Sequence, residues 1–162
     1  MARSSPQRAL RIYADTSVFG GVFDPEFAAA SSRFLEQVKD GRFRLVISPV
    51  VEAEIAKAPA RVQALFKSVV TLGEMVPTSE AVVHLQEAYQ RAGILPPQWI
   101  ADALHVAHAS VWGCQMMVSW NFRHIVHYDK IPLYNAINVR EGYSPIGIYT
   151  PREVITYEEE KV

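Results

Sequence analysis

Five short runs of β-type residues punctuate this chain: Leu10–Ala14, Phe43–Ile47, Val69–Leu72, Gln115–Ser119 and Ile146–Tyr149. Between them lie segments with helical spacing: Glu26–Lys39, Pro49–Ala58, Ala60–Lys67, Thr78 or Ser79 through Arg91, Gln98–Trp112 and Pro132–Arg140. Strands alternating with helices predict an α/β fold, a parallel sheet covered by helices on both faces. Right-handed crossovers then bring the carboxyl ends of the strands to one rim, where sheets of this kind collect ligands. Punctuation residues support the boundaries. Ser48 and Pro49 provide a cap and a first helical position, and Gly41, Gly93 and Gly113 stand where helices stop. The paired glycines and the Asp-Pro step within Val18–Pro25 read as an irregular loop.

A chain of 162 residues is long enough for one domain with a sizeable core. The expected organisation is a flexible N-terminal arm at residues 1–8 and a single domain over 9–157. The formal net charge of -1 supplies no global positive field for nucleic acid, so any such binding needs a local patch. The one cysteine, Cys114, excludes an intrachain disulfide and fits a reducing, cytoplasmic setting. No apolar run is long enough to span a membrane, so no membrane partner is expected.

The polar residues at the strand ends carry the chemistry. Leu10, Ile12 and Ala14 alternate with Arg11, Tyr13 and Asp15, and Asp15-Thr16-Ser17 ends the strand. Taken alone, Asp15 is a turn residue holding its own backbone. Asp102 lies in the first turn of the Gln98–Trp112 helix, nearly opposite the stripe of Ile100, Ala103, Leu104, Ala107 and Val111. Glu52 and Glu54 point in different directions from one helix, so only one faces the rim. Ser119 and Asn121 lie at the end of another strand. Carboxylates gathered at one rim repel unless a cation sits among them. Hard oxygen donors suit Mg²⁺ or Mn²⁺. A cation so held activates water and stabilises charge on a phosphoryl oxygen, which points to hydrolysis of phosphodiesters.

The order of these residues resembles the PIN-domain ribonucleases and, within them, the VapC-like toxins of type II toxin–antitoxin pairs. The resemblance runs from Ile12 to about Val154. It rests on Asp15-Thr16-Ser17 after the first strand, on Ser48-Pro49-Val50-Val51-Glu52-Ala53-Glu54-Ile55, on Asp102-Ala103-Leu104-His105-Val106-Ala107, on Ser119-Trp120-Asn121, and on Thr150-Pro151-Arg152-Glu153. It implies a PIN-like three-layer α/β/α fold around a parallel sheet. It implies a catalytic set of Asp15, Glu54, Asp102 and Asn121, with Asp15, Glu54 and Asp102 as ligands of Mg²⁺ or Mn²⁺. On that register Glu54 is the matching acid and Glu52 is not. It also implies single-stranded RNA as substrate. The chain departs from the pattern at Asn121, where many members carry a fourth acid; an amide oxygen has no charge and holds a second cation more weakly.

Thr16, Ser119, Arg123 and His124 are the candidate substrate-binding residues, the last two as phosphate contacts. His105, one turn after Asp102, is expected to support it or lie at the surface. A histidine zinc site is disfavoured by the absence of a cysteine pair. The three tryptophans are too scattered for a base-stacking platform, with Trp120 nearest the candidate site. The helices at Glu26–Lys39 and Ala60–Lys67 are candidates for a homodimer or antitoxin surface. Two functions follow: a metal-dependent endoribonuclease, and a weak or inactive module of the same fold that binds RNA or protein.

Overall fold

The computed structural model describes residues 9–157. The expected arm at residues 1–8 and the acidic Glu158–Glu160 lie outside them. Five strands form one parallel sheet: β1 (Leu10–Ala14), β2 (Phe43–Ile47), β3 (Glu74–Met75), β4 (Met116–Val118) and β5 (Gly147–Tyr149), in the spatial order β3-β2-β1-β4-β5. The chain builds outward from β1 to β3, then returns to place β4 on the other side of β1. The crevice between the ends of β1 and β4 is therefore the switch point of the topology, the place where open parallel sheets bind ligands. The register there pairs Ala14 with Val118, so Asp15 and Ser119 leave their strands side by side.

Helices α1 (Thr16–Gly21), α2 (Ala28–Lys39) and α8 (Pro151–Val154) pack together, as do α5 (Glu80–Arg91), α6 (Ile100–Val111) and α7 (Ile131–Arg140). Helix α3 (Pro49–Ile55) bridges α1, α6 and α4 (Ala60–Val70). With helices on both faces, β1 does not alternate between core and solvent: Ile12, Tyr13 and Ala14 are all fully buried. Tyr13 faces α6, and its neighbours in the strand face the opposite layer. Gly41 and Gly113, at the ends of α2 and α6, adopt φ of 79° and 69°, which closes each helix in a conformation that costs glycine little.

Three local expectations need correction. Val69–Leu72 is not a strand. Val62, Phe66 and Val69 continue one buried stripe at helical spacing, so α4 runs on to Val70 and the third strand is the two-residue Glu74–Met75. Burial of the stripe overrides the β propensity of the valines.

Val18–Pro25 is not wholly irregular either, because α1 occupies Thr16–Gly21. Gly21 is there for close approach, not to break the helix: an added Cβ would lie 2.6 Å from Ser31 Oγ and 2.7 Å from Trp120 Nε1. The second helix accordingly begins at Ala28 and not at Glu26.

Lastly, the Gln98–Trp112 segment divides into a 3₁₀ turn, Pro97–Trp99, and α6. Helix α6 has no solvent face beyond its first turn, since His105, Val106, Ala107, His108, Ala109 and Ser110 are all buried. The side opposite the apolar stripe packs on the sheet end and not in water.

Candidate active site

Asp15 ends β1 and caps α1. Its Oδ1 accepts hydrogen bonds from the Ser17 N–H at 3.1 Å and the Ser17 hydroxyl at 2.5 Å, and its Oδ2 accepts from Ser119 Oγ at 2.6 Å. The carboxyl is 4% exposed. Burial raises its pKa more than His105, Ser119 and Ser17 lower it, and the nearby Glu54 charge raises it further, so the net direction is up. A buried carboxylate of this kind is short of positive charge. Both flanking hydroxyls are themselves fixed by the loop after β4: the Trp120 N–H donates to Ser17 Oγ at 2.8 Å and the Asn121 N–H to Ser119 Oγ at 2.9 Å.

Glu54 reaches the same end of the sheet from α3. His105 Nε2 donates to its Oε1 at 2.5 Å. Burial pushes the Glu54 carboxyl up, but the hydrogen bond and charge of His105, helped by Thr16, hold it below its ordinary value. His105 is 2% exposed and its Nδ1 lies 2.7 Å from the Tyr13 hydroxyl, which lies 2.7 Å from Ser48 Oγ. Glu52 is exposed and has no part in this arrangement.

Asp102, in the first turn of α6, accepts from His124 Nδ1 through Oδ2 at 2.7 Å. Asn121 presents that histidine. Its amide oxygen accepts from the His124 N–H at 3.0 Å and closes the turn. Asn121 thus acts on the acids through Ser119 and His124, and its carboxamide oxygen is engaged with backbone. Arg123 is exposed, with its guanidinium 5.7 Å from the centre of the Trp99 ring. Thr16 Oγ1 is buried beside the Glu54 carboxylate.

Asp15 and Glu54 therefore share an electrostatic neighbourhood, and Asp102 lies on α6 three residues before His105. Each carboxylate carries its own donor, and among the described residues no three acidic, histidine or cysteine side chains stand close enough together to hold an ion. The donor set nevertheless fits a hard cation. It is all oxygen, and the Asp15 carboxyl is buried deeply enough for burial to outweigh its hydrogen bonds and the charge of His105.

Tyr13, Ser48 and His105 form a buried chain that sequence reasoning did not assemble. The signal available was Tyr13 itself, whose hydroxyl needs a partner once its strand is buried on both faces. The partners lie 35 and 92 residues away, beyond any local pattern.

A five-stranded parallel sheet between layers of helices, with Asp15 at its switch point, defines the class of fold. Within that class, the PIN domain family model matches residues 12–132, well over half of the chain, and the chain belongs to that family, whose members are generally nucleases that hydrolyse phosphodiesters. Solved structures with the same fold include FitAcB from Neisseria gonorrhoeae, at TM-score 0.58 and 14% identity over 88% of this chain and 99% of that one. They also include DNA-bound VapBC from Salmonella typhimurium, at TM-score 0.55 and 16% identity over 88% of this chain and 98% of that one. VapBC2 from Rickettsia felis, bound to a promoter DNA fragment, aligns at TM-score 0.52 and 17% identity over 70% of this chain and 90% of that one. No curated protein matches the sequence significantly. No helix among the described residues is long and apolar enough to cross a membrane.

Proposed function

We propose that this chain is a metal-dependent endoribonuclease that cleaves single-stranded RNA and serves as the toxin of a type II toxin–antitoxin pair in the cytoplasm. What supports the reading is the placement of Asp15 and Ser119 at the switch point, with Glu54 near enough for its charge to act on Asp15 and Asp102 one turn before His105 on α6. Asp15, Glu54 and Asp102 are the side chains that would hold Mg²⁺ or Mn²⁺. When bound, the ion supplies an activated water and neutralises charge developing on the phosphoryl oxygens. Ser17 and Ser119 fix the Asp15 carboxylate, His105 fixes Glu54, and His124 fixes Asp102, so the acids are oriented before substrate arrives. Thr16, buried beside Glu54, and Arg123, exposed over the Trp99 ring, are the side chains that would meet the substrate.

Cleavage of single-stranded RNA with Mg²⁺ or Mn²⁺ tests the reading. Asp15→Asn and Asp102→Asn are expected to abolish it. Activity equal to wild type in both variants, or activity that survives excess chelator, overturns it.

The similar structures named VapBC support an antitoxin as partner. A groove between α3 and α4, with Ile55, Ala56, Phe66 and Val70 in its wall, extends the α4 surface suggested by the sequence for an antitoxin or a second copy. A second reading, a catalytically weak module that binds RNA or protein, draws on Asn121, whose amide oxygen is engaged with the His124 N–H. Calorimetric titration with Mn²⁺ separates the two: no heat at millimolar metal favours the second.

A further inference from the structure

With a net charge of -1, the chain offers no long-range attraction for a polyanion, so a nucleic-acid strand must be held by contacts at the site. Two exposed aromatic side chains stand on the segments that carry the candidate site's supporting residues. Trp99, 38% exposed, lies one turn before Asp102. Its ring is 4.7 Å from the ring of His124, the donor to Asp102, and the exposed Arg123 guanidinium stands 5.7 Å from it. Phe122, 47% exposed, packs 6.1 Å from the Trp120 ring, and the exposed Arg152 guanidinium lies 5.7 Å from the same indole. The Trp120 N–H donates to the hydroxyl of Ser17, which in turn donates to Asp15. Trp99 is thus joined through His124 to Asp102 with the Arg123 guanidinium beside it, and Phe122 packs on Trp120, whose backbone N–H reaches Asp15 through Ser17 and whose indole carries Arg152. Trp120 itself is 6% exposed, with its indole N–H donating to Ser31 Oγ at 2.8 Å and its ring stacked on Phe27, so it is a support and not a platform.

We infer that Trp99 and Phe122 are stacking surfaces for unpaired bases on the two sides of the cleavage position, with Arg123 and Arg152 taking the adjoining phosphates. The inference rests on the nuclease reading and adds a base-recognition subsite to it. Stacking of this kind selects single strands, because only an unpaired base can offer its face to an aromatic ring. It needs no basic surplus, since stacking supplies affinity that charge does not. The placement favours RNA over a protein partner because Trp99 packs on the donor to Asp102 and Phe122 on the residue whose N–H holds the Ser17 hydroxyl against Asp15.

The experiment compares wild type, Trp99→Ala, Phe122→Ala and Trp99→Phe. Binding of a single-stranded oligoribonucleotide is measured by fluorescence anisotropy with Ca²⁺ in place of Mg²⁺, alongside an abasic strand of the same length. Wild type is expected to prefer the base-bearing strand by about tenfold. Each alanine variant is expected to lose most of that preference while binding the abasic strand as before, and Trp99→Phe is expected to keep it. In cleavage, the alanine variants are expected to raise KM with kcat held, the mark of lost uniform binding. Wild type that cleaves RNA but shows no preference for bases overturns the inference alone, as do alanine variants that retain the preference. Retained preference together with lost binding of an acidic, aromatic-bearing peptide assigns the patches to a protein contact and also overturns it. Wild type that neither binds nor cleaves RNA overturns the nuclease reading with it.

Discussion

His105 donates through Nε2 to Oε1 of Glu54 at 2.5 Å, from a position that is itself almost fully buried. A carboxylate can only accept, so Nε2 carries the proton. Nδ1 lies 2.7 Å from the Tyr13 hydroxyl, which lies 2.7 Å from Ser48 Oγ. The chain ends on a candidate ligand. Removing the imidazole with His105→Ala strands the Tyr13 hydroxyl and frees Glu54. The expected cost is about 2–3 kcal/mol of stability, from a cavity and a buried hydroxyl left unpaired. Tyr13→Phe keeps the packing and is expected to cost about 1–2 kcal/mol. Urea midpoints measure both. His105→Ala is also expected to weaken Mn²⁺ binding in titration, which a purely structural residue distant from Glu54 would leave unchanged.

Asp15 is a buried acid whose pKa is raised, chiefly by burial. The folded state therefore holds its proton more tightly than the unfolded chain does, and as pH rises through the folded pKa the ionised carboxylate works against folding. Asp15→Asn removes that charge and is expected to raise the melting temperature at pH 7 while abolishing cleavage. Added Mg²⁺ or Mn²⁺ is expected to stabilise wild type by about 2.7 kcal/mol at a hundredfold excess over Kd. The variant is expected to respond far less. Thermal melts with and without metal check both statements, and an Asp15→Asn variant that melts lower than wild type in chelator contradicts the first.

Gly21 has no room for a side chain, since a Cβ would meet Ser31 Oγ at 2.6 Å and the Trp120 indole nitrogen at 2.7 Å, atoms that are bonded to each other. Gly21→Ala is expected to displace Trp120 and, through its N–H, the Ser17 hydroxyl that holds Asp15. A loss of about 1–3 kcal/mol is expected from overpacking, accompanied by reduced cleavage. Gly20→Ala, one residue away and open to space, is expected to do neither. Indole fluorescence and urea titration of the two variants provide the comparison.

Cys114 is 3% exposed, and burial pushes its thiol up to about 12 from an ordinary value of 9.0. Between those values the unfolded chain releases the proton while the folded one keeps it, so stability is full below about pH 9 and falls as pH rises toward 12. The buried hydroxyls of Tyr13, Tyr89 and Tyr134 are raised in the same direction and steepen the loss. Urea midpoints at pH 8 and pH 10 are expected to show the fall, and Cys114→Ala is expected to lessen it. Native alkylation at pH 8 is expected to be slow, with the thiol becoming reactive only on unfolding.

The alternation of β-type runs with helical segments already determined a parallel α/β sheet, because crossover geometry leaves few other arrangements. The strand ends proposed Asp15 and Ser119, and the motifs of the family resemblance proposed Glu54, Asp102 and Asn121, since residues close in sequence carry those signals. Tertiary structure decided the rest. Val69 joined a helix because burial of a stripe outweighs local propensity, and α1 formed around a glycine kept for contact with Trp120. His105 became the support of Glu54 because α6 is enclosed on all sides beyond its first turn, which a helical-wheel reading of one helix cannot reveal. Asn121 turned toward the backbone of His124 and made that histidine the partner of Asp102. Which tryptophan faces solvent near the acids was settled the same way: Trp99 and not Trp120, because the neighbours that cover Trp120 come from helices α1 and α2 and the turn before α2. Local sequence names the groups a site has to work with; long-range packing decides which hydrogen bonds each of them makes.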